Sequence, residues 1–241
     1  NKLIKNIQDL VGIKKVQKIR SRLIINYFAE HDKLKKVFGL VSYSPALKID
    51  KDVEILKKEA LNFISKKKGT FKVVTKRSDK TFPIISPLLN TMIGEHIEKN
   101  CNLSFSFKNP DNILNIEINQ EGIFLFFDFY KCFGGLPTGV EGNVHLLMEN
   151  DASLLAGILI MKRGVDIHPI SFDSCDISLL QNFSPKKLGL KIIEKLSKNK
   201  LIVSGQNYDN YKKYDEDNLI FRPLISYDDL QIKKELIFFN T

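Results

Sequence analysis

The spacing of apolar side chains divides the first fifty residues into alternating helices and strands. Residues 2–11 carry apolar side chains at a helical period, and a second amphipathic helix is predicted near 30–38. A basic strand over 16–25 and a strand over 41–47 alternate with these helices. We therefore expect a small α/β unit. Because such a unit rarely starts with a helix, the pattern also predicts a strand before residue 1.

The next segment, which extends to about residue 133, combines helices and strands in a different order. Helices are predicted at 52–67 and 88–99, and strands at 70–77, 113–118 and 123–130. Apolar and polar residues alternate along strand 113–118, so one of its faces is expected to meet solvent. Glu121–Gly122 forms the turn of a hairpin with the strand that follows. The segment is therefore predicted to be an α+β domain.

A Gly-rich connector at 134–139 marks a boundary, and the pattern beyond it is strand, helix, strand. The predicted elements are strand 144–148, helix 153–163, strand 165–172, a helix from Ser184–Pro185 to Lys198, strand 201–204 and a last helix opened by a capping box from Ser226 to Asp229. The spacing of the first three favours a right-handed crossover between parallel strands. We expect an α/β domain with a parallel sheet.

Charge is distributed unevenly along this chain. The 241 residues carry a net charge of +9, and residues 1–80 hold 21 Lys/Arg against 8 Asp/Glu. Such a basic half indicates a polyanionic partner, most often nucleic acid. The alternative is a lysine-rich surface without a specific partner.

Composition excludes several classes of protein. A hydrophobic fraction of 43% supports a folded core and excludes a disordered chain. No apolar run approaches the roughly 20 residues that span a membrane. Three cysteines are too few for a disulfide framework, which predicts a reducing, cytoplasmic compartment.

The stretch TFKVVTKRSDKTFPIISPLLNTMIGEHI at 70–97 combines a strand, a Lys-Arg pair, an aromatic-Pro loop and a helix. It resembles the THUMP domain of the tRNA 4-thiouridine synthase (tRNA sulfurtransferase) family. Similarity continues at KNPD (108–111), GGLPTG (134–139), MKRG (161–164), HP (168–169) and RPLI (222–225). The resemblance therefore extends over nearly the whole chain.

This resemblance implies three modules. They are a ferredoxin-like domain at 1–50, a THUMP domain at 51–133 and a reduced adenine-nucleotide-hydrolase-like domain with a parallel sheet at 134–241. In the family, the first two modules bind the acceptor stem and 3′ end of tRNA. The third activates a uridine by adenylation so that sulfur can replace its oxygen. We expect the third module of this chain to be shorter than a complete doubly wound domain.

Phosphate contacts supply most of the affinity of such an RNA platform, so cations are the candidate contacts. The candidates are Lys72, Lys76, Arg77 and Lys80 in the THUMP segment and Lys14, Lys15, Arg20 and Arg22 in the basic N-terminal stretch. Strand alternation places Lys72 and Lys76 on one face and Arg77 on the other. Phe82 either stacks on a base or ribose or anchors the core, and both interpretations stay open.

Active members of the family carry an S-G-G-x-D-S-like loop, whose small residues let backbone N–H groups surround a phosphate. Aligned on Ala156–Gly157, this chain offers Met148, Glu149, Asn150, Asp151, Ala152 and Ser153. Only Ser153 keeps the pattern, and Glu149 would place a carboxylate where pyrophosphate binds. We therefore expect a degenerate nucleotide loop, with Asp151 as the helix N-cap. In the alternative, Asp151 or Glu149 binds Mg²⁺ and restores nucleotide binding.

A sulfur relay needs a thiolate nucleophile and generally a second cysteine. Cys175 is the candidate for a catalytic role, although no partner is evident for it. Cys101 and Cys132 are expected to be buried small hydrophobes. His145 and His168 are expected to be satisfied structural histidines within strands. The sequence shows no metal-ligand spacing, catalytic triad or Walker A loop.

These observations favour a tRNA-binding member of the family that lacks its own adenylation activity. It would act as an adaptor that presents tRNA to a partner modification enzyme, without a cofactor of its own and without a membrane. Two alternatives stay open: an active sulfurtransferase that uses ATP-Mg²⁺ through an unorthodox loop, and a protein–protein scaffold. The shortened third domain would also leave an apolar face suited to pairing with a second copy.

Overall fold

The computed structural model describes residues 1–20, 22–214 and 217–240. The chain forms two compact units, one made of Asn1–Tyr43 with Lys131–Thr241 and the other of Ser44–Tyr130. We call them the parallel-sheet unit and the middle unit, and we describe each by itself. The division into three modules stays a prediction. No helix in the described part of the chain is long and apolar enough to cross a membrane.

The secondary structure comprises six α-helices, one 3₁₀ helix and fourteen short strands within the described residues. The helices are α1 (Lys2–Val11), α2 (Val53–Ile64), α3 (Ser86–Asn100), α4 (Asp151–Lys162), α5 (Ser178–Gln181) and α6 (Asp229–Asn240), with the 3₁₀ helix at His31–Lys36. The strands are β1 (Val16–Ile19), β2 (Arg22–Ile25), β3 (Ser42–Tyr43), β4 (Leu47–Ile49), β5 (Thr70–Arg77), β6 (Ser104–Phe105), β7 (Asn112–Asn119), β8 (Gly122–Phe126), β9 (Tyr130–Lys131), β10 (Asn143–Leu147), β11 (Asp166–Ser171), β12 (Lys191–Ile192), β13 (Leu201–Ser204) and β14 (Leu219–Phe221).

The middle unit is a five-stranded mixed sheet with the order β4-β8-β7-β5-β6. Strand β5 is parallel to both β6 and β7, whereas β8 is antiparallel to β7 and β4. Apolar residues of α2 and α3, such as Leu56 and Ile93, form one core with Phe71 and Leu114 of the sheet. Because side chains alternate along a strand, Lys72 and Lys76 lie on the opposite face of β5 from this core.

The parallel-sheet unit contains a second five-stranded sheet with the order β12-β11-β10-β13-β14, in which all neighbouring strands are parallel. Helix α4 connects β10 to β11 and packs its apolar residues against Leu146 and Val203. Gly157 permits this approach, since an added Cβ would lie 2.6 Å from Leu146 Cδ2 and 2.8 Å from Leu180 Cδ2. The mixed α/β class with a parallel sheet, as expected from the sequence, is confirmed.

The N-terminal residues differ in detail from the predicted helices and strands. The strand expected over 16–25 is a hairpin of β1 and β2, with Arg20 before β2 at a positive φ of 46°. The helix expected near 30–38 is a 3₁₀ helix, and the strand expected over 41–47 is divided into β3 and the start of β4. Apolar periodicity alone does not distinguish a continuous strand from two strands joined by a tight turn.

One helix prediction and one cap prediction in the C-terminal half are wrong. Ser184–Pro185 does not begin a helix, because the Ser184 hydroxyl donates to Lys186 O (2.8 Å) and accepts from Lys186 N (3.3 Å) in a local turn. The segment then forms β12 beside β11. The last helix is capped by Asp228 and not by Ser226, since Gln231 N donates to Asp228 Oδ1 at 2.7 Å.

Candidate nucleic-acid interface and sheet-edge cleft

A cleft of about 490 Å³ lies where β10 and β11 end. In parallel α/β sheets, ligands bind at this carboxyl edge of the strands. The lining residues come from the loop after β10 (Met148 to Asp151), from the turn after β11 (Ser171 to Asp176), from Leu154 and Leu179, and from Lys212. The loop after β10 and Cys175, which the sequence analysis considered separately, therefore line the same cleft.

The lining of this cleft is acidic. Its lining includes four carboxylates, Glu149, Asp151, Asp173 and Asp176, and one ammonium group, that of Lys212. Within the described residues no three His, Cys, Asp or Glu side chains are grouped so that they could hold a metal ion. The charge of the lining is therefore opposite in sign to that of sites that bind triphosphates.

The loop after β10 uses some of its own side chains to bind its own backbone. Glu149 N donates to Ser153 Oγ at 3.1 Å, and Ser153 N donates to Asn150 Oδ1 at 3.3 Å. Asn150 is therefore the N-cap of α4, and the prediction that Asp151 is the cap is wrong. Asp151 is the first residue of the helix, where its charge suits the helix dipole.

Backbone from the loop after β13 packs directly against α4. A Cβ added at Gly205 would lie 2.4 Å from Ser153 N and 2.6 Å from the carbonyl carbon of Ala152. Such distances leave no space for another group between Gly205 and the first turn of α4. The space between the loop after β13 and the first turn of α4 is therefore already filled by protein.

The carboxylate of Glu149 is bound by side chains that follow β13. Its Oε2 accepts hydrogen bonds from Ser204 Oγ (3.2 Å) and from Gln206 Nε2 (3.2 Å). Gln206 Nε2 also lies 2.6 Å from the Tyr214 hydroxyl. Burial, followed by the hydrogen bond and charge of Glu149, raises the pKa of Tyr214 well above its usual value. Tyr214 therefore stays neutral and able to donate a hydrogen bond at ordinary pH.

Arg222 completes this polar network, which we call the Glu149 network: Glu149, Ser204, Gln206, Tyr214 and Arg222. Arg222 Nε donates to Gln206 Oε1 at 3.1 Å, and its guanidinium lies over the Tyr211 ring, 4.5 Å from the centroid. Sequence reasoning singled out Glu149 but missed Ser204, Gln206 and Tyr214. The available signal was the run of polar residues directly after the strand at 201–204, at the edge where parallel strands end.

The three cysteines are free thiols. Burial raises the pKa of Cys132 to about 11 and also raises the pKa of Cys101, so both thiols stay protonated at neutral pH. This agrees with the expectation that they are small hydrophobic residues, although both are only half-buried. Cys175 is exposed on the wall of the cleft.

The histidine prediction is wrong in part. His145 and His168 lie side by side on β10 and β11, with ring centroids 6.0 Å apart. Within the described residues, however, His145 Nδ1 is buried without a hydrogen-bond partner, and His168 is exposed. Burial, then the neighbouring His168, lowers the pKa of His145. His145 therefore has a buried ring nitrogen without a hydrogen-bond partner among the described residues, whereas His168 is exposed to solvent.

On the middle unit, some of the predicted RNA contacts are exposed and others are bound into the fold. Lys76 and Lys80 are exposed, as a phosphate contact requires. Phe82 is 5% exposed and belongs to the core, so the stacking interpretation of Phe82 is wrong and the core interpretation is confirmed. Arg77 Nη1 donates to Phe82 O (2.5 Å) and Ile84 O (3.0 Å), which ties the guanidinium to the fold.

Lys72 is positioned by an aromatic ring that sequence reasoning did not select. Its Nζ lies 4.2 Å from the centroid of Phe107, whose side chain is 72% exposed. In the parallel-sheet unit, the basic candidates Lys14, Lys15, Arg20 and Arg22 are all exposed on or beside the β1–β2 hairpin. Exposed basic candidates therefore lie on each of the two units.

The middle unit places the chain among proteins with a THUMP domain, because the model of that family matches residues 50–128. Probable tRNA sulfurtransferases are similar in sequence. The relative from Brevibacillus brevis is 39% identical over 152 residues, which cover 61% of this chain and 38% of the relative. The relative from Streptococcus pneumoniae is 37% identical over 187 residues, which cover 72% and 46%.

Two crystal structures are similar over the full chain. A protein from Pyrococcus horikoshii Ot3 has a TM-score of 0.84 at 25% identity, and the match covers 100% of this chain and 92% of that one. A 4-thiouridine synthetase in complex with RNA and bound ATP has a TM-score of 0.83 at 25% identity, with 99% and 79% covered. The chain belongs to the tRNA 4-thiouridine synthase family. It spans less than half the length of these curated relatives.

Proposed function

We propose that this chain binds the acceptor stem and 3′ end of tRNA and presents it to a partner modification enzyme, without adenylating it at the loop after β10. RNA binding is supported by the THUMP match and by the RNA bound to the similar 4-thiouridine synthetase. The exposed cations Lys76 and Lys80 on the middle unit fit this role, since phosphate contacts supply most of the affinity of RNA platforms.

ATP, which the similar synthetase binds, does not fit the residues of this cleft. A phosphate site at a helix N-terminus needs free backbone N–H groups and close backbone approach. Here Glu149 N and Ser153 N are bound to side chains of the loop, and Gly205 fills the space beneath Ser153. The four carboxylates of the lining also repel a polyphosphate. We therefore derive no step through ATP.

The observation that carries the proposal is the Glu149 carboxylate within its network. Ser204 and Gln206 donate to an anion supplied by the chain itself, at the edge where the family binds nucleotide. Two unit charges about 4 Å apart repel by roughly 4 kcal/mol at an effective dielectric near 20, and a phosphate carries more than one charge. Glu149 therefore acts as an internal anion that competes with a bound phosphate.

Filter binding of tRNA over a series of salt concentrations tests the RNA part of the proposal. We expect affinity to fall steeply as salt rises, because Lys and Arg contacts release counterions from the phosphates. Lys76→Gln and Lys80→Gln should each reduce the slope of log K against log salt by about 1. Lys58→Gln, an exposed lysine on α2 of the same unit, is the matched control and should leave the slope unchanged.

Two results would contradict this proposal. Affinity that does not depend on salt would remove the RNA-binding role and leave the scaffold alternative. Thiolated tRNA formed by the purified chain with ATP-Mg²⁺ and a sulfur donor would establish the active-enzyme alternative instead.

A further inference from the structure

Phe107 is the most exposed large apolar residue among the described residues of the middle unit. Its side chain is 72% exposed, although large apolar side chains are normally buried. It lies between β6 and β7 in a segment with defined geometry. Ser106 N donates to Phe71 O at 2.9 Å, and Ser106 Oγ donates to Lys108 O at 2.7 Å. The ring is therefore presented to solvent from a backbone that is fixed on both sides.

A cation from the neighbouring strand fixes the ring itself. Lys72 Nζ lies 4.2 Å from the ring centroid, within the distance at which cation–π attraction is significant. The ammonium group can occupy only one face of the ring. Because Phe107 is 72% exposed, much of the remaining ring surface is open to solvent.

The charges around this ring are arranged in favour of an anion. Lys68 and Lys108 are exposed, and Lys68 lies at the same edge, because Asn112 Nδ2 donates to Lys68 O at 2.9 Å. The two nearby acids are bound to backbone amides: Glu98 Oε1 accepts from Phe105 N (3.0 Å) and Asp111 Oδ2 accepts from Thr70 N (2.7 Å). A hydrogen bond does not neutralise a carboxylate, but Lys68, Lys72 and Lys108 outnumber the two acids, so the net charge near the ring is positive.

We propose that Phe107, backed by Lys72, is a stacking platform for an unpaired nucleotide of the bound RNA, with Lys68 and Lys108 contacting the flanking phosphates. Single-stranded nucleic acid is bound by this combination of exposed aromatic rings and cations, since every base has a face that can stack. The proposal rests on the proposed RNA-binding function and names the side chains that would perform part of it. A protein partner is less suited to this edge, because interface cores are depleted of lysine.

The experiment compares two RNA hairpins with the same stem, one blunt and one with a short unpaired 3′ tail that contains 2-aminopurine. The variants are Phe107→Ala, Phe107→Tyr and the control Phe129→Ala, which removes another exposed Phe of the same unit (56%). Circular dichroism verifies that each variant is folded.

We expect Phe107→Ala to weaken binding of the tailed hairpin about tenfold and to leave the blunt hairpin within about twofold, because stacking on one ring is lost. Phe107→Tyr and Phe129→Ala should bind both hairpins like the wild type. The wild-type chain and Phe107→Tyr should quench 2-aminopurine on binding, and Phe107→Ala should not.

Different failures have different meanings. If the wild-type chain binds the tailed hairpin and Phe107→Ala binds it equally well, the stacking proposal is overturned while the RNA-binding function stands. Equal losses on both hairpins would also overturn it, since stacking on an unpaired nucleotide cannot affect a blunt stem. If the wild-type chain binds neither hairpin, the proposed function itself fails.

Discussion

Arg77 illustrates that a cation in a basic strand can hold the fold together. It lies on the core side of β5, and its guanidinium donates to two carbonyls of the loop that leads to α3, those of Phe82 and Ile84. Nearby, Asp79 accepts from Thr81 Oγ (2.6 Å) and Lys51 Nζ (2.9 Å). Loop 78–85 is therefore held by Arg77 of β5 and by its own Asp79, which is paired with Lys51.

At the residue scale, we predict that Arg77→Ala lowers the local free energy of opening by about 2 kcal/mol. Hydrogen bonds to charged groups contribute about 1.5–3 kcal/mol, and solvent screening reduces the sum of the two bonds because Arg77 is only half-buried. The measurement is native-state hydrogen exchange, read by mass spectrometry over peptides from β5 and the following loop. Lys76→Ala, an exposed neighbour, is the control and should change the value by less than about 0.5 kcal/mol. Equal effects of the two variants would contradict a structural role for Arg77.

The sequence predicted the strand face of some side chains correctly but did not predict the burial of others. Strand alternation correctly separated Arg77 from Lys72 and Lys76. It could not show which aromatic residue is buried, because Phe82 and Phe107 have the same side chain and both lie in connecting segments. Their exposures of 5% and 72% are decided by tertiary packing: Phe82 belongs to the core formed with α2 and α3, whereas Phe107 lies outside it, beside Lys72.

At the scale of elements, the contact between Gly205 and α4 limits the space beside the loop after β10. The φ of Gly205 is not in the left-handed region, so the reason for glycine is space and not backbone conformation. Alanine there would place Cβ within 2.4 Å of Ser153 N, which is closer than any real Cβ contact. Either β13 or the first turn of α4 would have to move.

We predict that Gly205→Ala destabilises the parallel-sheet unit by about 1–3 kcal/mol through overpacking against backbone. Gly189→Ala is the matched control, because a Cβ at Gly189 meets nothing within 4 Å, and it should be neutral or slightly stabilising. Urea titrations followed by circular dichroism compare the two variants. A neutral Gly205→Ala would show that the loop has space beneath it and would weaken the argument against bound phosphate.

The periodicity of apolar residues predicted most of the long helices and strands but not the short ones. Strand β5 occupies the predicted residues, and α3 and α4 lie within a few residues of their predicted bounds. The helix predicted from Ser184 failed because a side chain bonded its own backbone in a turn, a local alternative that apolar spacing does not reveal. The N-cap of α4 was predicted one residue too late, at Asp151 instead of Asn150, because Asn and Asp are both favoured at this position.

At the scale of the whole molecule, the sequence and the structure agree on the class of protein and on the separation of its charges. The basic N-terminal third lies in both units, whereas the cleft at the sheet edge is acidic. Net charge by segment could be counted from the sequence. The Glu149 network could not, because Glu149 lies more than fifty positions from Ser204 and Gln206, and only the parallel sheet brings them together.

The central claim is that the chain binds tRNA while its own carboxylate occupies the place of a nucleotide phosphate. Isothermal titration of ATP-Mg²⁺ into a preparation that binds tRNA in the filter assay tests it most directly. We predict no heat of binding up to millimolar ATP, and the same tRNA affinity with and without the nucleotide. Saturable ATP binding in the micromolar range, abolished by a bulky substitution such as Ser153→Leu, would contradict the account.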